Sequence, residues 1–236
     1  MKTHPPFNQP SRYKTAICWF LLIIIPGSFL LAGEQEKYYF VFLNTKPDRL
    51  EISEAAQQEL QKGHFANMER LYKARKMIAA GPLVGGGGIF ILVANSLTEA
   101  RDSLQTDPAI QANRFNLEVF PFSLDNGRLC WLESGNDDYQ MVNYQMVRFS
   151  PANREDSETA MQKNSGAHQA FIDVLPDSAV IAGGLFSKGR DGGLLLLNVD
   201  SAEAAEKMVD AHPHLAEKKW ALNVRTLWVA KETFCN

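Results

Sequence analysis

Apolar residues fall along the chain in two kinds of pattern. Short unbroken runs such as Tyr38-Tyr39-Phe40-Val41-Phe42-Leu43 and Leu194-Leu195-Leu196-Leu197 alternate with stretches whose apolar positions return every three or four residues. The runs predict strands and the stretches predict helices. The first half reads as strand 38–43, helix 53–74, strand 77–80, strand 89–94, helix 98–105 and strand 116–122. The second half repeats that order as strand 144–149, helix 158–174, strand 179–182, strand 194–199, helix 202–211 and strand 222–229. Landmarks recur with it: His64 with His168, Gly81 with Gly183, Asp107-Pro108 with His212-Pro213, Phe115 with Trp220. Ser96-x-x-Glu99 is a capping box, and Asp200-x-x-Glu203 resembles one.

Each half is therefore a βαββαβ unit, the split βαβ or ferredoxin-like arrangement, and the fold class is α+β. Residues 38–122 and 144–230 form the two units, and 123–143, rich in turn residues, reads as a linker. A sheet with one face in water should alternate apolar and polar residues, but these strands are apolar at consecutive positions, which requires cover on both faces. Covering roughly four large side chains per sheet at ~1.5–3 kcal/mol each is worth ~6–12 kcal/mol per half. The expected architecture is two sheets packed face to face as a pseudo-dimer within one chain, or between chains in a homo-oligomer.

The amino end has a different character. Residues 1–14 are polar and basic, 16–25 are wholly apolar, and Pro26-Gly27 then breaks the run. This is the pattern of a signal peptide covering residues 1–33, and it places the protein in the periplasm or outside the cell. Cleavage after Ala32 or Gly33 would leave Leu30 or Leu31 where a small residue is preferred, so an uncleaved anchor over 15–33 stays open as the alternative. Membrane contact is expected only through this segment. Glu34 stands where a lipoprotein would need cysteine.

Net charge is −3, but Lys2, Arg12 and Lys14 all lie in the leader, and without them 21 basic residues face 27 acidic ones. So acidic a body argues against a nucleic-acid partner, which needs clustered Lys and Arg. Cys130 and Cys235 each follow the last strand of a half; a bridge and two free thiols are both compatible with the sequence. No motif calls for a cofactor.

With these residues in place, the first half resembles the YCII-related domain. The resemblance rests on a helix carrying His64, then Ala80-Gly81-Pro82, a glycine-rich turn, and Asp107-Pro108 after the second helix. The second half, from His168 through Gly183-Gly184 to His212-Pro213, looks like a diverged copy. The resemblance implies the dimeric α/β-barrel fold and an acid/base pair in a cleft, which maps to His64 and Asp107. It names no substrate beyond an unknown small molecule.

The residues themselves allow plainer readings. His64 lies on the apolar stripe Leu60, His64, Met68, Leu71, where it is either a core histidine or a general base oriented by a carboxylate. Asp107-Pro108 is also ordinary turn chemistry after a helix. Gly81, Pro82, His168 and His212 are weaker ligand-binding candidates. In the second half His212 occupies the aspartate position, so one half is expected to bear the site and the other to be structural. Reading His168, His212 and His214 as a metal cluster is disfavoured, because two of them flank a turn proline and no ligand spacing is met. Gly85–Gly88 leads into a strand with no following Lys, so it reads as a flexible hairpin, not a phosphate loop. Arg70, Lys73, Arg75 and Lys76 read as a solvated helix terminus, with an anion site as the minority alternative. The expected function is small-molecule binding in the first half with His64/Asp107 proton transfer. The alternative is a non-catalytic envelope protein that keeps the barrel for binding or structure.

Overall fold

In the first half, β1 (Tyr38–Thr45) is followed by α1 (Glu54–Lys73), β2 (Met77–Pro82), β3 (Gly88–Val93), α2 (Leu97–Leu104), α3 (Pro108–Gln111) and β4 (Phe115–Asn126). After the two-residue β5 (Arg128–Leu129), the second half runs β6 (Met141–Pro151), α4 (Glu158–Ile172), β7 (Val180–Phe186), β8 (Gly193–Leu197), α5 (Ala202–Val209), α6 (Pro213–Ala216) and β9 (Trp220–Ala230). A last strand, β10 (Phe234–Cys235), pairs back with β5. The computed structural model describes Met1 and residues 37–132, 139–153 and 157–235. The expected leader therefore lies, Met1 apart, outside the described residues, among which no helix is long and apolar enough to cross a membrane.

One antiparallel sheet carries both units in the order β2-β3-β1-β4-β7-β8-β6-β9, so the strand order of the first half is repeated in the second. The join is β4 with β7, where Phe122 pairs with Phe186 and Ser123 with Leu185. The outer strands also meet. Leu83 bridges Leu227, and the Val84 amide donates to the Thr226 carbonyl at 2.9 Å. Eight strands thus curl almost into a closed barrel, the dimeric α/β-barrel arrangement made by a single chain. Of the two assemblies left open by the sequence, this chain adopts the intramolecular one.

Strands β1, β3 and β8 are buried on both faces because they serve two cores. Phe40, Phe42, Ile89, Ile91, Phe122, Met146, Phe186, Leu194 and Leu196 fill the barrel interior between the half-sheets. The alternate residues Tyr39, Val41, Leu43, Phe90 and Leu92 pack under the first unit's helices. Val147, Phe149, Leu195 and Leu197 do the same in the second unit. Within the interior Arg148 of the second half grips Glu118 of the first through two bonds, at 2.9 and 2.7 Å. Its guanidinium also lies 4.1 Å over the Phe42 ring. The Arg148 hydrogen bonds hold the Glu118 carboxyl below the usual carboxylate range.

Several element boundaries differ from the sequence reading. β4 runs on to Asn126, into the stretch read as linker, because Phe122 and Leu124 still point at the shared interior. The halves share one sheet and one core, so 38–122 and 144–230 delimit repeats of a single body. The cap of α5 is Ser201, whose hydroxyl accepts from the Ala204 amide, one residue later than the Asp200 box implied. Asp107-Pro108 is a helix start: Asp107 is the N-cap of α3 and Pro108 its first residue.

Cys130 and Cys235 form a disulfide with their Cα atoms 5.9 Å apart, closing a loop of 105 residues. Cross-linking so long a loop restricts the unfolded chain, an effect of typically about 2–4 kcal/mol. Reduction is therefore expected to lower the urea midpoint by that equivalent without changing the folded far-UV spectrum. An unchanged midpoint after verified reduction would contradict this.

Candidate functional site

The sequence of α1 determines where a site can form. Ser53 caps it by accepting from the Ala56 amide at 3.3 Å, yet only Asn67 and Leu71 of its twenty residues are buried. The helix is held at its carboxyl end and by Gly63, where a Cβ would stand 3.1 Å from the Pro108 ring. Beneath its middle, from Gln61 to Met68, lies a cavity of about 620 Å³, bounded by the first unit's sheet and by Gly85–Gly88. His64, Gly81 and Pro82 are among its walls.

Asp107 lies behind that wall, fully buried. Its Oδ1 caps α3 by accepting from the Ala109 and Ile110 amides at 2.9 and 3.3 Å. Oδ2 stands 2.7 Å from His64 Nδ1. A carboxylate can only accept, so the network assigns the proton to Nδ1 and leaves Nε2 as the basic nitrogen of the neutral ring. The His64 ring stacks on Phe90, with centroids 5.8 Å apart. Its side chain keeps 14% of its surface exposed.

Asn67 was not singled out from the sequence. It lies one turn beyond His64, donates weakly to Asp107 Oδ2 at 3.4 Å, and accepts from Arg70 and Thr106 at 2.8 and 2.9 Å. The available signal was a polar residue interrupting the inward stripe three positions after the histidine. The basic cluster ending α1 stays at the surface, with partners within the chain: Arg70 as above, Lys73 with Glu69, Arg75 over Trp131 at 4.6 Å, and Lys76 with Glu99 at 3.4 Å.

The second unit repeats the placement with reversed hydrogen-bond polarity. His212 takes the cap position of α6, its Nδ1 accepting from the His214 amide at 3.2 Å. Its Nε2 must therefore carry the proton, and it stands 3.1 Å from His168 Nδ1. His168 accepts there, so its own proton sits on Nε2. The helix histidine is a potential base in the first unit and a blocked donor in the second.

The surroundings close as well. A Cβ on Gly193 would stand 3.0 Å from His168 Nε2, which forms no hydrogen bond of ordinary length. The 3₁₀ turn Ser187–Gly189 folds against α4, where Asn164 Nδ2 donates to the Gly189 carbonyl at 3.5 Å. His168 is 1% exposed. In the first unit the matching glycine turn is drawn the other way, because Arg225 of β9 donates to the Val84 carbonyl at 2.9 Å and to that of Gly86. The turn read as a flexible hairpin is thus pinned across the barrel seam, with positive φ at Gly85, Gly86 and Gly87. Gly81 serves that seam too: a Cβ there would stand 2.4 Å from the Trp228 carbonyl.

Burial pushes His168 down to about 4 and His212 down to about 3, with the neighbouring imidazoles adding to both shifts. Burial also lowers His214. Both His168 and His212 have folded values depressed below the unfolded value of 6.5, so as pH falls the unfolded chain binds these protons first. Their stabilising effect is complete above about pH 6.5 and falls below it by up to about 1.4 kcal/mol per pH unit for each ring. Urea midpoints are expected to drop between about pH 7 and about pH 5, where most carboxylates are still ionised. Equal midpoints would contradict neutral burial.

Residues 38–123 match the family model of the YCII-related domain. No curated protein matches the chain. Among solved structures, an anthrone oxidase-like protein is similar at 11% identity with a TM-score of 0.47, over 84% of this chain and 92% of its own. The siroheme decarboxylase NirDL is similar at 8% identity with a TM-score of 0.43, over 83% of this chain and 71% of its own.

Proposed function

We propose that this chain, which carries a YCII-related domain at residues 38–123, binds a small organic molecule in the cavity beneath α1 and transfers a proton to or from it through His64. The observation that carries this reading is the 2.7 Å contact between His64 Nδ1 and Asp107 Oδ2 at the wall of the cavity. With the ring neutral, Nε2 accepts a proton from an acidic C–H or O–H of the ligand. The imidazolium so formed is stabilised by the Asp107 carboxylate, which accepts from Nδ1–H throughout. The same proton then returns from Nε2 to another atom of the ligand, or to water, and resets the pair. Asp107 acts through His64 and is a positioning residue.

Proton transfer is testable before the natural ligand is identified. The full chain is incubated in D₂O with a panel of small carbon acids, and loss of each C–H signal is followed by NMR. The expected result is exchange of at least one compound, reduced by about 10²–10⁴-fold in His64→Ala. Equal exchange by the variant would remove His64 from the chemistry.

A second reading, a binding or structural protein of the cell envelope without turnover, is favoured by the second unit, whose fold persists with its histidine blocked and covered. Ligand binding with no exchange across the panel would support it. For location, the Cys130–Cys235 bridge supports an oxidising compartment and hence export.

A further inference from the structure

The cavity differs in charge from the protein around it. Outside the leader the chain carries six more acidic than basic residues, yet no Asp or Glu among the described residues lines the cavity. One cation does, Arg49, on the exposed stretch between β1 and α1. No hydrogen bond or ion pair engages its guanidinium among the described residues, in contrast to Arg70, Arg75, Arg148 and Arg225, all of which have partners. The glycine turn lines the same cavity. Gly86 N–H is spent on the Leu83 carbonyl, but the Gly85 and Gly87 amides donate to no group among the described residues, and both residues have φ near +90° or just below. Arg225, whose guanidinium donates to the Val84 and Gly86 carbonyls of this turn, adds a second positive charge behind it. The Asp107 carboxylate is sealed behind His64 and satisfied by four donors.

Apart from Thr45 and Gln61, most of the remaining lining is apolar. Phe65, Phe90, Phe115 and Trp228 contribute aromatic surface, and Met68 and Met141 contribute thioethers. Rings present faces and edges suited to another ring, and thioethers pack adaptably against one. Aromatic walls, an unpaired guanidinium and free backbone amides together select a ring bearing one negative charge.

We infer that the cavity takes a monoanionic, ring-sized organic acid whose carboxylate or ionised hydroxyl is held by Arg49 and the Gly85–Gly87 amides, while the ring lies among the aromatic walls beside His64. This rests on the proposed reading of the cavity as a small-molecule site and adds the class of molecule. The anion-holding groups lie on the chain before α1 and after β2, away from the His64–Asp107 pair. Charge recognition and proton transfer are therefore separable by substitution.

The test uses the full disulfide-bonded chain and three probes of one shape: benzoate, benzamide and benzylamine. Binding is measured by calorimetry and by Trp fluorescence, near neutral pH and at low salt. Benzoate is expected to bind at least about tenfold more tightly than benzamide, with benzylamine weakest. Arg49→Gln, at an exposed position, is expected to bring benzoate to within about twofold of benzamide while leaving benzamide unchanged. Equal binding of benzoate and benzamide, or an unchanged preference in Arg49→Gln, overturns the inference while leaving the cavity as a binding site. Binding of none of the three, with benzoate also failing at high concentration to shift the His64 or Trp228 resonances, overturns the inference and the small-molecule reading together. Benzoate binding that His64→Ala preserves, in a protein that exchanges no carbon acid, upholds the charge selection and removes only the proton transfer.

Discussion

Phe186→Ala is expected to destabilise the folded chain by about 3–5 kcal/mol, read as the free energy of unfolding in urea. Phe186 belongs to β7 of the second unit and is fully buried. Its ring centroid lies 5.4 and 5.7 Å from those of Phe40 and Phe42, and 5.2 and 5.7 Å from those of Phe120 and Phe122, all in the first unit. The substitution would open a void in the middle of the surface the halves share, where rigid strands on both sides limit relaxation. Because each unit relies on the other to cover its inner sheet face, the loss should appear as one cooperative transition at lower urea. A cost under about 1 kcal/mol, or separate melting of the two halves, would mean that the interior is not a common core.

Asp107→Asn is expected to reduce His64-dependent deuterium exchange by about 10²–10⁴-fold while costing the fold about 1 kcal/mol. Asparagine is a good helix cap, so its oxygen can keep the Ala109 and Ile110 amides. The amide nitrogen then faces His64 Nδ1 as a donor, and the neutral ring must move its proton to Nε2. That is the hydrogen-bond order the second unit already has through His212. The variant would therefore convert the open site to the polarity of the closed one without emptying the cavity. Benzoate binding should survive. Exchange at the wild-type rate would show that the aspartate does not set the state of the histidine.

The repeated order of elements along the chain and the burial of both faces of the most apolar strands were readable because each follows from a local rule: period, capping and consecutive apolar residues. His64 and Asp107 were readable as a pair only through the resemblance to the YCII-related domain, since nothing local says that residues 43 positions apart meet. Other features depended on geometry that no short pattern encodes. Asp107-Pro108 suits a turn and a helix cap equally until the carboxylate is seen accepting the two amides beyond it. Asn67 was not singled out, and it is buried where Gly63 seats α1 against Pro108. Arg49 was overlooked because it sits in no element. The basic run ending α1 drew attention instead, and the fold gives each of those cations a partner. The glycine run suggested flexibility, whereas its fixed position comes from Arg225, more than a hundred residues away in sequence.

The central claim is that two copies of one histidine arrangement carry opposite proton polarity, open in the first unit and shut in the second. Nitrogen-15 NMR of the imidazole rings, with His64 and His168 assigned by single substitution near neutral pH, measures it directly. The account predicts the Nδ1–H form for neutral His64 and the Nε2–H form for His168, with benzoate perturbing the first ring and not the second. The same form in both rings, or a benzoate response confined to His168, would contradict it.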